Sequence, residues 1–317
     1  TYTLRFSNTG VAAARVARDD VVAGVLDDAQ LVTGPTSSDD ALTVSPIADG
    51  RFSVDGDLAP GRTVLVTYTV KVAPERQRGD SRLSNFMVGR GATAPATCDP
   101  DVERADCTTN PIAEMHDWKT ADPASGTVVK AGQRLTYTLH FRNSGTAPVT
   151  VDRVDDMSHV VDDAPIVAVP TSSDPSIEVT GIDGRFAVKG TVQPGKTVTV
   201  TYGVKVKQPA DQGDHVLANY LLDAGQSAPA KPVCDLGPEV DCTVNSISEI
   251  TATKSVDPGT GTDVEPGDRL TYSLTFTNSG EGASTVDYVD HMAGLLDDAD
   301  LVRTPTTSAG TLTVTTR

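Results

Sequence analysis

Arg134-Leu135-Thr136-Tyr137-Thr138-Leu139-His140-Phe141 alternates apolar and polar side chains with a period of two, and Asn143-Ser144-Gly145 follows it as a turn. Leu135, Tyr137, Leu139 and Phe141 therefore share one face of an extended strand, and that face must be covered. After the turn, Val149-Thr150-Val151-Asp152-Arg153-Val154 alternates again, so the pair reads as a hairpin with one buried face. Further short runs at Pro165 to Val169, Ile177 to Thr180, Gly184 to Gly190, Thr197 to Lys207 and His215 to Leu222 are separated by turn signals such as Asp183-Gly184 and Gln193-Pro194-Gly195. No segment carries a helical stripe, although Val160 to Ala164 suits a single turn. Roughly seven to nine strands in about 120 residues predict an all-β domain of immunoglobulin-like sandwich type.

The decisive strand occurs three times. Thr1-Tyr2-Thr3-Leu4-Arg5-Phe6-Ser7-Asn8-Thr9-Gly10 returns as Thr136 to Gly145 and as Thr271 to Gly280, at an offset of 135 residues each time. That period is a whole domain, too long for a solenoid unit. The expected organisation is a linear rod of tandem beads: repeat 1 over 1–97, repeat 2 over 112–233 and repeat 3 over 247–317. Only the middle copy spans the full pattern, which suggests a window on a longer array.

Between the copies lie Cys98 to Cys107 and Cys234 to Cys242, acidic proline-bearing segments that give linkers over 98–111 and 234–246. These four are the chain's only cysteines, paired locally and in register with the repeat. Two short disulfides are the expectation, and they imply an oxidising, extracellular compartment. Zinc ligation lacks a second close cysteine pair or histidines at ligand spacing. Loops this short gain roughly 2 to 3 kcal/mol from closure, so the expected role is to stiffen the junction between beads.

Composition narrows the class. Lys+Arg total 26 against 43 Asp+Glu, a net charge of -17, and the pI is near 4.5. Nucleic acid is a poor partner for such a surface, since phosphate contacts need clustered basic residues. Apolar residues are 38% and aromatics 4% of the chain, so each core is expected to be small and rich in Val and Thr. No run of apolar residues is long enough for a membrane span, and no secretion signal stands in this sequence.

Laying the copies over one another exposes recurrent polar residues. Lys119 and Lys254 each lie 18 residues before the strand tyrosine, in Lys119-Thr120-Ala121-Asp122-Pro123 and Lys254-Ser255-Val256-Asp257-Pro258. Asp20, Asp155 and Asp290 lie 18 residues after it. Asn85 and Asn219 recur in Leu83-Ser84-Asn85-Phe86 and Leu217-Ala218-Asn219-Tyr220, expected on the last strand. Asp156 neighbours Asp155, but its column holds Val21 and His291, which favours Asp155.

This order resembles the isopeptide-forming domains of Gram-positive surface and pilin proteins: an early Lys-Thr/Ser-Val, then Gly-x-x-Leu/Val-Thr-Tyr-Thr-Leu/Ile, a Val-x-Asp segment, and a final asparagine. It looks closest to tandem repeats of actinobacterial wall-anchored adhesins and fimbriae, and covers the whole chain. The resemblance implies that Lys119 attacks the Asn219 amide with Asp155 as acid/base, releasing ammonia and joining first and last strands. Asp20 with Asn85, and Lys254 with Asp290, are then partial sets. The chemistry needs a neutral lysine and a protonated carboxylic acid, both products of burial.

Other candidates are weaker. Asp27-Asp28, Asp162-Asp163 and Asp297-Asp298 recur and are candidates for binding Ca²⁺, but acidic pairs without alternating oxygen ligands read as solvated turns, so no metal and no cofactor are expected. Nothing singles out a glycosidase acid and nucleophile beside an aromatic platform. His116, His140, His159, His215 and His291 do not recur in register, and Asn8, Asn143 and Asn278 read as turn residues. The functional expectation is a structural stalk of a cell-surface adhesin or fimbria, not an enzyme on external substrates. Its partners are neighbouring repeats, with a host or matrix ligand at a distal tip. The alternative is that the repeats themselves bind a host protein, glycan or ice.

Overall fold

The computed structural model describes residues 1–98, 106–181, 183–234 and 241–315. Among them strands dominate, and the three α-helices, α1 (Ala23–Leu26), α2 (Ser158–Val161) and α3 (Ala293–Leu296), are single turns. The acidic interiors of the two cysteine-closed segments, 99–105 and 235–240, lie outside the described residues.

The first unit holds β1 (Tyr2–Ser7), β2 (Ala14–Val21), β3 (Ala29–Ser37), β4 (Leu42–Val44), β5 (Arg51–Leu58), β6 (Thr63–Val72), β7 (Arg82–Gly89) and β8 (Cys107–Pro111). The second holds β9 (Met115–Asp122), β10 (Val129–Lys130), β11 (Arg134–Asn143), β12 (Val149–Met157), β13 (Ile166–Ser172), β14 (Ile177–Thr180), β15 (Arg185–Val192), β16 (Thr197–Lys205), β17 (Val216–Asp223) and β18 (Cys242–Ser248). Beyond these, β19 (Ile250–Asp257) pairs with β20 (Thr271–Asn278).

In the second unit the sheets run β13-β16-β11-β9 and β10-β18-β17-β12-β15-β14. The inward face of β11, Leu135, Tyr137, Leu139 and Phe141, packs with Val198, Val200, Tyr202 and Val204 of β16 and with Val151, Phe186, Val188, Leu217 and Leu221 of the opposite sheet. This is a β-sandwich whose core joins two half-apolar sheets, each large buried side chain contributing roughly 1.5–3 kcal/mol. The first unit repeats it, with sheets β1-β6-β3 and β4-β5-β2-β7-β8 around Phe6, Phe52, Val54, Val66 and Tyr68.

Three expectations are corrected. β11 and β12 form no hairpin: β11 pairs with β16 and β9, and β12 with β15 and β17. The connection crosses between sheets because two strands that each carry one apolar face bury both by facing one another. Asn143 holds the crossing: fully buried, it donates to the carbonyls of Ala147 at 2.8 Å and Val192 at 2.9 Å, and accepts from the Gly145 amide at 2.9 Å.

The segments read as linkers end in strands. β8 pairs with β7, and β18 sits between β17 and β10, so residues 107–111 and 242–246 belong to the sheets and β17, which bears Asn219, is not the last strand. Thr243, Asn245 and Ile247 on β18 are buried, which requires the strand inside the sandwich. The third correction follows: disulfides Cys98–Cys107 and Cys234–Cys242 close the connections into these final strands, at the end remote from the next unit. The junction itself is made by Ile112 to Glu114, whose carbonyl at Ile112 accepts from the Thr146 amide at 2.8 Å.

Candidate functional site

Three strands bring the site together. On β9, Lys119 is paired with Leu139 of β11, so its side chain enters the same interior as that leucine. On β12, Asp155 is paired with Leu221 of β17, and Asn219 lies two residues before that leucine. Lys119 thus reaches from the edge strand of one sheet toward two adjacent strands of the other. All three side chains are buried, Lys119 and Asp155 completely.

The Lys119 ammonium nitrogen donates to Asp155 Oδ2. A fourth residue completes the set: the Tyr202 hydroxyl donates to Asp155 Oδ1 at 2.8 Å, lies 3.3 Å from Lys119 Nζ, and accepts from Asn219 Nδ2. Tyr137 and Tyr202 wall the pocket, with Lys119 Nζ 5.5 and 5.8 Å from their ring centroids. The Asn219 carbonyl oxygen and the Tyr137 hydroxyl are buried without a hydrogen-bond partner.

Burial shifts both partners toward their neutral forms. Burial pushes Lys119 down to about 8, although Asp155 pulls the other way. Burial likewise raises the Asp155 carboxyl above its ordinary range against the pull of Lys119. Both shifts express the cost of isolated charge in an apolar interior and lean the pair toward amine and carboxylic acid. The Tyr202 phenol is held protonated by burial and by the neighbouring Asp155.

The partial sets show how the site is built. In the first unit Asn85 Nδ2 donates to Asp20 Oδ2 at 3.0 Å, and burial raises Asp20 to about 6. Tyr68, at the position of Tyr202, is buried beside Asp20, and the Tyr2 hydroxyl, at the position of Tyr137, is buried without a hydrogen-bond partner. In the second unit the lysine nitrogen and Asn219 meet the corresponding Asp155 and Tyr202 groups. On the third repeat Lys254 Nζ lies 2.6 Å from Asp290 Oδ1 and 5.2 Å from the Tyr272 centroid.

Asp156 points elsewhere: it accepts the amides of Ser158 at 3.1 Å and Ala228 at 3.0 Å. In the first two units one member of the recurrent acidic pair anchors a loop, Asp28 accepting the amides of Ser81 and Arg82, Asp163 those of Gly213 and His215. Tyr202 went unread in the sequence because an inward tyrosine looks like core. Its signal was Val66-Thr67-Tyr68-Thr69-Val70 against Val200-Thr201-Tyr202-Gly203-Val204.

A family described as a domain of unknown function, DUF7927, matches residues 1–112, 114–247 and 249–317. The chain belongs to that family. The first two DUF7927 matches end within a residue of the strand that follows the cysteine-closed segment, so β8 lies inside the first matched span and β18, up to Ile247, inside the second. No curated protein matches the chain.

Proposed function

We propose that these DUF7927 units are immunoglobulin-like beads of an extracellular stalk, and that the second is locked by a self-formed bond between Lys119 and Asn219. The carrying observation is one buried cluster in which Lys119, Asp155, Tyr202 and Asn219 are linked by hydrogen bonds. Neutral Lys119 Nζ adds to Asn219 Cγ, the new C–N bond forms, and the bond from Cγ to Nδ2 breaks. Nitrogen Nδ2 leaves as ammonia carrying the proton that Nζ gives up, so the reaction needs no oxidant or co-reactant. Asp155 accepts at Oδ2 and supports the exchange.

Two disulfides fit an oxidising, non-cytoplasmic setting, and a net charge of -17 keeps neighbouring shafts apart. No described helix is long and apolar enough to cross a membrane. A link from β9 to β17 ties one sheet to the other, which suits a bead loaded along its length.

Intact mass after disulfide reduction tests this. The chain is expected to be one ammonia lighter than its sequence, with a branched Lys119–Asn219 peptide on digestion, and Asn219→Ala is expected at full calculated mass. A wild-type chain at its calculated mass overturns the cross-link.

A further inference from the structure

The cross-linking reaction, on which this inference rests, must move a proton from Lys119 Nζ to Asn219 Nδ2. Asp155 alone is badly placed for both halves of that task. Its Oδ2 takes the lysine hydrogen bond, while its Oδ1 is occupied by the Tyr202 hydroxyl. Asn219 Nδ2 makes its hydrogen bond to that same hydroxyl, and Tyr202 also lies 3.3 Å from Lys119 Nζ. One hydroxyl therefore touches the entering nitrogen, the leaving nitrogen and the carboxyl between them.

We propose that Tyr202 is a catalytic residue of the cross-linking reaction, its hydroxyl carrying the proton from the Lys119–Asp155 pair to Asn219 Nδ2 as that nitrogen departs. As Nζ bonds to Cγ it releases a proton to Asp155 Oδ2. In the reacting form the Tyr202 hydroxyl has turned from Oδ1 to Nδ2, so the neutral Asp155 carboxyl gives its Oδ1 proton to the Tyr202 oxygen as the phenolic proton passes to Nδ2, whose lone pair is localised once the tetrahedral carbon forms. Ammonia leaves with three hydrogens, and Asp155 and Tyr202 return to their starting protonation. In the resting bead the amide nitrogen donates to Tyr202; in the tetrahedral state that bond reverses.

The pocket supports a chemical role. A phenylalanine would fill the same volume, yet both complete tyrosine positions, Tyr68 and Tyr202, keep a hydroxyl in a fully buried site.

The test follows ammonia loss by mass over time in the full chain made by cell-free synthesis. Tyr202→Phe is expected to slow the loss by roughly 100-fold, the usual worth of a general acid–base step. Because that change also removes hydrogen bonds, a second chain carries 3-fluorotyrosine at position 202 alone, which keeps the hydroxyl and makes it more acidic. A proton carrier shifts the pH profile of the rate toward lower pH; a hydroxyl that only holds the pocket together leaves it unmoved. Loss at the wild-type rate in Tyr202→Phe, or an unshifted profile with fluorotyrosine, overturns the role of Tyr202 while the bond itself stands. A wild-type chain that never loses ammonia overturns the bond first.

Discussion

Asp20 shows what burial does to the carboxyl of this site. It is fully buried, holds Asn85, and has its carboxyl raised to about 6 by loss of solvent. The folded state therefore grips this proton more tightly than the unfolded chain. Its contribution is fully present below about pH 4 and is lost as pH rises through about 6, a change of roughly 3 kcal/mol. Asp20→Asn is expected to remove that dependence and to raise the stability of the first unit at neutral pH. Denaturant unfolding of both chains at acidic and neutral pH checks it, and parallel curves count against the assignment. The columns of Lys, Asp and Asn were legible in the sequence because duplication repeats them at fixed spacing, and the structure brings Lys119, Asp155 and Asn219 together. Tyr202 was illegible for the opposite reason: apolar alternation already explains a tyrosine there, so its hydroxyl carried no separate signal.

At the scale of elements, period-two alternation told which face of a strand is buried but not which strand lies beside it. That is why β11 was legible to within two residues while its pairing was not. β9 was hidden because its inward residues include Asp117 and Lys119, which break the apolar pattern. β18 was hidden behind an acidic, proline-bearing stretch that reads as linker. Backbone demands are sharper at Gly190, where β15 passes between β12 and β14. Its φ is 150°, and a Cβ there would sit 2.0 Å from the Ser176 carbonyl oxygen. Gly56 occupies the same place on β5, with φ 152° and 2.0 Å to the Ala41 oxygen. Gly190→Ala is expected to cost roughly 3 kcal/mol through displaced backbone. Gly195→Ala, in an open turn at φ 69° with no neighbour within 4 Å, is expected to cost about 1 kcal/mol. Thermal melts of the two variants decide it, and equal losses sink the steric account.

Across the whole molecule, the repeats meet through more than a tether. Arg78, its side chain 2% exposed, pairs with Glu114, and Glu75 takes a 2.6 Å hydrogen bond from Ser144 and pairs with His116. Gly145 lies so close to this connection that a Cβ would stand 2.3 Å from the Ile112 oxygen, and Gly280 repeats the approach at Ile247. Such junctions pass tension from one unit into the edge of the next, and in the second unit that edge is β9. The proposed bond would carry the load from Lys119 on β9 directly to Asn219 on β17, bypassing the hydrogen-bonded strands between. About 100 residues separate the two attachment points, and they would be shielded from extension. Pulled from its ends, the wild-type chain is therefore expected to stop short of full length by roughly 330–360 Å, the span of that segment at 3.3–3.6 Å per residue. Asn219→Ala releases the missing length, and its second unit opens at lower force because only sheet contacts resist. Force spectroscopy on the full chain reads both quantities at once. Equal contour lengths for the two chains would mean that no covalent bridge spans the sandwich, whatever the geometry of its buried lysine.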